Sequence, residues 1–373
     1  MLNTQEYIIT ELRKSLENMI FLTAPRLKVL VAIIIGIIDS GSVVLSKIAQ
    51  ELKSDFSEAA EASKVKRIFR FLTNDKINTD MVQYHFARTL LKKYKNHSGK
   101  VHIIFDHTTK EDVFTILQFS LRVDNRVIPL WHKIFEYKDE KNKDFAHVYE
   151  GLKVLHELLS PYNFDVILLA DRGFRSVELF EFIDQELKWK YAIRCISTTN
   201  VRIPNKLEIK KLSDIKIKAN KRKSFEKVLL TEKKYECNMG VALAEDNDVW
   251  YIATNMKPTK AIKEYQKRFD IEETFRDLKS NGFNMEDSWS KGITYFKNLY
   301  LCLSIAYTWL IILGKTCTKN KKNKELGAVR VNKNKKAIRV YSLFRAGLKW
   351  FKRCYNDYRK KYRLNFDFIL HEK

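Results

Sequence analysis

The spacing of hydrophobic residues changes from helical to strand-like at about residue 100. From residue 1 to about 95, apolar residues recur with helical periodicity through YIITELRKSLENMI and LKVLVAIIIGIID. From Val101 the runs VHIIFDHTT, VFTILQFSLRV and RVIPLWHKIFEY predict three antiparallel strands, with Asp124 and Asn125 at the last turn. Helical and strand-like runs then alternate in FAHVYEGLKVLHELL, DVILLADRG, VELFEFIDQEL and KWKYAIRC. A helical region therefore precedes a mixed sheet.

The mixed sheet is interrupted before its last helices. Residues 197–255 are rich in lysine and contain the strand-like runs KVLLTEKKYECNMGVALAE and VWYIATN around Asp246-Asn247, and a helical pattern returns from about Thr259 to Lys279. Three antiparallel strands followed by alternating helix and strand predict an α/β fold with an RNase-H-like mixed-sheet catalytic core. We predict this division of the chain: a helical N-terminal DNA-binding domain (1–95), the core (96–196 and 256–314), a β-rich insertion (197–255) and a basic helical C-terminal region (315–373).

Two segments of the N-terminal region indicate DNA binding. The run VVLSKIAQEL resembles the first helix of a helix-turn-helix. In the run SKVKRIFRFLTND that follows, Lys64, Arg67 and Arg70 recur every three residues, a spacing that keeps side chains on one helix face. We expect this helix to grip DNA phosphates, with a merely solvated face as the alternative.

The charge of the chain favours a polyanionic partner. It has 69 Lys and Arg against 45 Asp and Glu, a formal net charge of +24, which attracts nucleic acid or an anionic surface. Between Lys315 and Arg363 there are 18 basic residues and only two acidic ones, interleaved with aromatic residues. This stretch suits phosphate contact over an aromatic layer. A solvated basic tail, or a helix with an ordinary aromatic core face, remains the alternative.

The sequence favours a cytoplasmic protein with no membrane partner. The apolar stretches LKVLVAIIIGII and LCLSIAYTWLIIL are shorter than the ~20 residues of a spanning helix, so both are interpreted as buried helices. The N-terminus lacks the charged, apolar and small-residue order of a signal peptide. Five scattered cysteines without a C-x2-C pair argue against a zinc site and a disulfide framework.

Four polar residues in YQKRFDIEETFRDLK share one side of a predicted helix. At ~100° per residue, Tyr265, Arg268, Glu272 and Lys279 fall within about 60° of one another. They lie beside the apolar seam, where a helix borders a cleft. An exposed salt bridge between Arg268 and Glu272 is the alternative reading of this spacing.

Two aspartates follow apolar runs that predict buried strands. Asp106 follows HIIF and Asp171 follows VILLA, so both are expected to end their strands. Buried carboxylates need a partner, and carboxylates that converge from separate elements suit a hard divalent cation. Asp106, Asp171 and Glu272 are therefore the candidate catalytic residues and metal ligands.

These motifs resemble the DDE transposases of bacterial insertion sequences, family four, with the signature Y-x2-R-x3-E-x6-K. Tyr265, Arg268, Glu272 and Lys279 meet every spacing of that signature. FDHTTK, RVIPLW, LADRGF and WYIATN extend the resemblance over about residues 60–310, in the family's order. The first 60 residues and the basic C-terminus match no motif of the family.

The resemblance implies a mechanism with two Mg²⁺ ions held by Asp106, Asp171 and Glu272, with Mn²⁺ able to replace Mg²⁺. It implies cleavage at the transposon ends and joining of those ends to target DNA, with a DNA hairpin as intermediate and a homodimer in the complex of paired ends. Tyr265, Arg268 and Lys279 are then expected to hold DNA phosphates.

The resemblance also implies a role for Trp250, at the start of WYIATN. It is expected to stack on a base flipped from the transposon end, with Phe269 wedged into the vacated stack, whereas a core tryptophan is the alternative. Two other functions remain open: a host-adopted nuclease that cuts without joining, and a catalytically silent DNA-binding regulator.

Overall fold

The computed structural model describes residues 4–52, 58–96, 98–137, 140–218, 221–244, 247–320, 325–326, 329–331, 337–356 and 364–372. The helices are α1 (Thr4–Glu17), α2 (Ala24–Ser40), α3 (Leu45–Gln50), α4 (Glu61–Leu72), α5 (Thr79–Lys92), α6 (Glu140–Leu159), α7 (Val177–Glu181), α8 (Pro258–Tyr265), α9 (Asp270–Lys279), α10 (Ile293–Lys319) and α11 (Leu343–Asn356). The strands are β1 (Lys95–Asn96), β2 (Lys100–Lys110), β3 (Phe114–Val123), β4 (Arg126–Glu136), β5 (Asp165–Ala170), β6 (Lys190–Cys195), β7 (Val201–Arg202), β8 (Arg222–Leu230), β9 (Tyr235–Leu243), β10 (Val249–Thr254), β11 (Val329–Val331), β12 (Ala337–Arg339) and β13 (His371–Glu372).

A single mixed sheet forms the centre of the molecule. Within the described residues it has nine strands, in the order β4-β3-β2-β5-β6-β10-β9-β8-β7. β2, β3 and β4 are antiparallel neighbours, and β5 and β6 run parallel to β2, which is consistent with the predicted RNase-H-like core. The strands between residues 201 and 254 extend the same sheet, because β10 pairs with β6.

Helices cover both faces of this sheet. α6 packs on one face, where a Cβ added to Gly151 would come within 2.2 Å of the Phe119 ring. The neighbouring Gln118 points to the other face and accepts a hydrogen bond of 2.6 Å from Tyr300 of α10. α8 and α9 share that second face with α10, and α8 approaches β9 closely because Gly240 has no side chain.

The segment interpreted as the start of a helix-turn-helix contains the short helix α3. α3 ends at Gln50 and α4 begins at Glu61, and five of the residues between them, 53–57, lie outside the described part. The helix-turn-helix interpretation therefore stays a prediction. The apolar run of α2 is buried, as predicted.

The long helix α10 is a core helix. It is the one helix among the described residues that is long and apolar enough to cross a membrane, yet 94% of its most apolar window is buried inside the protein. α11 crosses it at close range, because a Cβ on Gly314 or Gly347 would lie 1.9 Å from a backbone oxygen of the other helix. The interpretation of this apolar run as a buried helix is confirmed.

The aromatic residues of the basic C-terminal stretch include a core face. Trp350, Phe351 and Tyr355 are buried on α11, as the alternative interpretation held for this helix. Much of the rest of the stretch, at 321–324, 327–328, 332–336 and 357–363, lies outside the described residues.

Buried His132 in β4 is expected to make the fold sensitive to acid. Burial lowers the pKa of His132 from 6.5 to about 4, and its ring meets Tyr300 edge-on at 4.7 Å between centroids. The unfolded chain binds a proton near pH 6.5 and the folded chain does not until about pH 4, so stability falls as pH drops through this window. We expect His132→Gln to flatten the slope of unfolding free energy against pH by roughly 1 kcal/mol per unit, measured by urea unfolding. An unchanged slope would contradict this assignment.

Candidate active site

Asp106 lies within β2, where this strand extends beyond β5. The pairing of β2 with β5 ends at Ile104 and Leu169, whereas its pairing with β3 continues to Lys110. The expectation that Asp106 ends its strand was therefore wrong, because the ladder with β3 keeps the backbone extended past it. The carboxylate nevertheless lies at a free end of the parallel pairing, where a ligand can approach.

Asp171 follows the last residue of β5, as predicted. The register that pairs Ile104 with Leu169 brings Asp171 beside Asp106, since each lies two residues further along its strand. Neighbouring strands are ~4.8 Å apart, so the two carboxylates are adjacent. The hydroxyl group of Tyr265 donates a hydrogen bond of 3.1 Å to Oδ1 of Asp171.

The signature residues do not lie on one continuous helix. α8 ends at Tyr265, residues Gln266–Phe269 form a 3₁₀ turn, and α9 begins at Asp270. The predicted regular helix was wrong here, because a 3₁₀ turn advances ~120° per residue instead of ~100°. This turn carries Arg268, which is buried.

Arg268 connects two of the three predicted ligands. Its Nη1 donates to Oδ2 of Asp106 at 3.0 Å, its Nη2 donates to Glu272, and its guanidinium group lies 4.5 Å from the centre of the Phe269 ring. The side chain is 5% exposed, against 46% for Glu272. The pair of Arg268 and Glu272 is therefore linked through a buried guanidinium group to Asp106, and it is not the isolated surface salt bridge of the alternative reading.

The network of Arg268, Asp106 and Glu272 is strongly charged, and two of its members, Arg268 and Asp106, are largely buried. Burial raises the pKa of Asp106 from 3.8 to about 6, with a smaller contribution from Asp171, while the positive charge of Arg268 limits the rise. Burial opposes the charge of Arg268, but the surrounding carboxylates and Tyr265 outweigh it and raise its pKa. The positive charge of Arg268 is thus stabilised at the point where the carboxylates of Asp106, Asp171 and Glu272 converge.

The carboxylate oxygens of Asp106, Asp171 and Glu272 fit a hard divalent cation, although the guanidinium group of Arg268 lies among them. Among the described residues, no three His, Cys, Asp or Glu side chains are grouped closely enough to hold a metal ion, because Arg268 lies between Asp106 and Glu272. Carboxylate oxygens are the ligands that Mg²⁺ and Mn²⁺ prefer. Asp106 and Asp171 would hold such an ion, and Glu272 would join them once Arg268 moves.

Lys279 lies apart from the other signature residues. It is two turns beyond Glu272, ~10 Å along the helix axis, and forms an ion pair of 3.3 Å with Glu286 in the following loop. The structure therefore brings Tyr265, Arg268 and Glu272 to the two aspartates but directs Lys279 toward the loop before α10.

Trp250 and Phe269 stack on each other beside Tyr265. Their ring centroids are 5.4 Å apart with an interplanar angle of 29°, and Trp250 also meets Tyr265 edge-on at 5.3 Å. Both side chains are partly buried at the rim of the apolar cluster under α8 and α9. The two aromatic residues singled out from the sequence are thus in direct contact.

The basic residues of α4 differ in their exposure to solvent. Lys64 is half-buried and its Nζ donates to the carbonyl oxygen of Leu52 at 3.1 Å, whereas Arg67 and Arg70 are exposed. Lys64 is thus partly engaged within the protein, and the shared DNA-binding face of the three residues stays a prediction. Lys66 is exposed beside the two arginines and was missed, since it does not follow the three-residue spacing.

Glu264, which sequence reasoning missed, anchors the end of α8. Nε2 of His102 lies 2.7 Å from its carboxylate, and Lys267 donates a second hydrogen bond. Burial alone would raise the pKa of Glu264, but these two partners lower it to about 2. His102 occupies the same face of β2 as Asp106, so alternation along the strand could have indicated it.

A second network anchors α9 to the hairpin of β3 and β4. Asp270 accepts from Arg122 at 2.6 Å, and Asp277 accepts from Arg126 at 2.8 Å and from Tyr307 of α10 at 3.2 Å. The acids of α9 that are not candidate ligands thus have structural partners, which fixes the rotation of the helix and the direction of Glu272.

The mixed sheet, the paired aspartates and the adjacent glutamate define an RNase-H-like α/β domain with an acidic site at the end of its parallel strands. Residues 138–309, a little under half of the chain, match a family model described as a transposase DDE domain. This match includes Asp171 and Glu272, begins after Asp106, and supports a DDE transposase in general. A comparison with curated proteins gives no significant match.

Proposed function

We propose that this protein is an insertion-sequence transposase that binds terminal inverted repeats and catalyses DNA cleavage and strand transfer. The observation that carries the proposal is that Asp106 and Asp171 lie side by side just beyond the parallel pairing of β2 and β5, and that Arg268 connects Asp106 to Glu272. The match to the DDE domain supports the class. The spacing of the signature residues supports insertion-sequence family four.

Each residue of the site has a proposed task. Asp106, Asp171 and Glu272 would hold two divalent cations, Mg²⁺ or Mn²⁺, which would supply Lewis acidity for phosphodiester cleavage. Tyr265 orients Asp171 through its hydrogen bond. Arg268, once released from the carboxylates, offers a bidentate fork to a phosphate. Lys279 provides a point charge for a phosphate further along the DNA.

The proposal extends to the other parts of the chain. Residues 1–95 bind the terminal repeat, in part through Arg67 and Arg70, and the basic C-terminal region 315–373 adds charge for DNA. The insertion at 197–255 brings Trp250 to the site. Two copies of the chain pair the two transposon ends, and the protein acts in the bacterial cytoplasm on the nucleoid.

A strand-transfer assay tests the proposed function. Purified protein is mixed with Mg²⁺, a DNA fragment that carries the inverted repeats flanking the coding region, and a supercoiled target plasmid. We expect cleavage at the repeats and joining of pre-cleaved ends to the plasmid. Cleavage without joining would identify the host-adopted nuclease instead. Repeat binding without cleavage would identify the silent DNA-binding regulator.

Trp250→Ala is expected to slow formation of a DNA hairpin ten- to a hundredfold, with first-strand nicking close to normal. The reason is that a stacked base contributes ~1 to 3 kcal/mol, and Trp250 already stacks with Phe269 at the rim of the site. Nicked and hairpin products are separated on denaturing gels, with Trp250→Phe as the control that keeps an aromatic surface. If nicked and hairpin products decrease together, or if the melting temperature falls strongly, Trp250 is a core residue and does not stack on a base.

A further inference from the structure

Trp289 is an exposed tryptophan for which the site described above has no task. It lies between α9 and α10 and is 92% exposed, an unusual state for so large an apolar side chain. It lines an open cleft of about 530 Å³ together with Phe69 of α4, which is 48% exposed. The walls of the cleft include further apolar side chains, namely Val43, Val44, Leu45, Val65 and Tyr295.

One wall of this cleft borders the basic face of α4. Lys66 and Arg70 lie within about 100° of Phe69 around the helix axis, and both are exposed. On the other side, the exposed Lys291 follows Trp289 by two residues. One acid, Asp287, also lines the cleft. The α4 side of the aromatic cleft therefore carries a surplus of positive charge, whereas near Trp289 the charge of Lys291 balances that of Asp287.

We propose that this cleft holds an unpaired DNA base stacked on Trp289 and Phe69. Lys66, Arg70 and Lys291 contact the phosphates on either side of that nucleotide. Every base offers an aromatic face, and the combination of aromatic surface with a basic border is what single-stranded nucleic acid requires. The flanking charge favours DNA over a second copy of this strongly basic chain, which would repel it.

The inference rests on the proposed function for its partner, DNA, and adds a base-binding site distinct from Trp250. Trp250 belongs to the apolar cluster under α8 and α9, whereas Trp289 lies in the cleft beside α3 and α4. The two sites therefore respond to different substitutions and can be tested separately.

Binding of a fluorescein-labelled oligothymidylate, measured by anisotropy in EDTA so that no cleavage occurs, tests the proposal. We expect Trp289→Ala to weaken binding about ten- to a hundredfold and Trp289→Tyr to restore most of it. Binding of a fully paired duplex should change less than about threefold. Phe21→Ala is the matched control, because Phe21 is an aromatic residue 72% exposed elsewhere.

A second arm tests the basic border. Lys66→Ala is expected to reduce the slope of log K against log salt for oligothymidylate by about 0.7, as the loss of one phosphate contact to a single strand does. Equal binding by wild type and Trp289→Ala would overturn the proposal and leave the proposed function standing. A Trp289→Ala variant whose oligomeric state changes in light scattering, with DNA binding unchanged, would make the cleft an interface between copies. If the wild-type protein binds neither the oligothymidylate nor the fully paired duplex, the proposed function is overturned as well.

Discussion

Asp106→Asn, Asp171→Asn and Glu272→Gln are each expected to lower Mg²⁺-dependent cleavage of transposon ends by about a thousandfold or more. Residues that act as one catalytic unit each cost nearly the full effect when removed, and the three carboxylates are the proposed ligands of the same cations. Binding of the ends should stay within a few fold, because the basic residues that contact phosphates are elsewhere.

These amide variants should fold. Asp106 and Asp171 are neighbours across two strands, and burial already disfavours the charge of Asp106, so its loss relieves a desolvation cost. Asp165→Asn is the matched control, since Asp165 begins the strand that Asp171 follows and pairs with Lys190 at 2.6 Å. Cleavage is measured on labelled ends, and binding by gel shift in EDTA. Near-normal cleavage by any one of the three variants would remove that residue from the site.

Arg268→Gln is expected to destabilise the cation-free protein by about 3 to 5 kcal/mol. Removing one partner of a buried ion pair leaves the other charge uncompensated, and Arg268 neutralises both Asp106 and Glu272. A divalent cation bound by the folded state raises stability by mass action. We therefore expect Mg²⁺ or Mn²⁺ to raise the melting temperature of this variant more than that of wild type.

A control variant separates two roles of Arg268, which are to neutralise the carboxylates and to occupy the position of the cation. Arg276→Gln on the following helix α9 is the control, because Arg276 is 55% exposed and pairs with Glu273 at the surface, where an ion pair contributes at most about 1 kcal/mol. Melting is followed by circular dichroism over a titration of cation. If both arginine variants melt alike, Arg268 does not neutralise the site. If the cation shifts wild type and Arg268→Gln equally, Arg268 does not occupy the position of the cation.

The predictions that held depended on local pattern. Asp171 was placed correctly because an uninterrupted apolar run predicts a buried strand, and the polar residue after it must lie at the strand's end. The turn at Asp124-Asn125 was confirmed between β3 and β4 for a similar reason: apolar runs and turn residues report on their own segment.

The predictions that failed depended on contacts between distant segments. Asp106 lies within β2 because β3 extends the ladder on one side only. The angular calculation on a single helix failed at the 3₁₀ turn before Asp270.

The sequence by itself determined the order of helices and strands, the carboxylates that follow apolar runs, and the spacing of the signature residues. These features depend on the pattern of apolar and polar residues within each segment. Only the tertiary structure decided that Arg268 bridges Glu272 to Asp106, 162 residues earlier in the chain, and that Trp289 is left exposed beside α4. The physical reason is that strand register and helix packing set which side chains meet, and both depend on the whole core. Local spacing selects the residues that can carry the chemistry, and packing selects their partners.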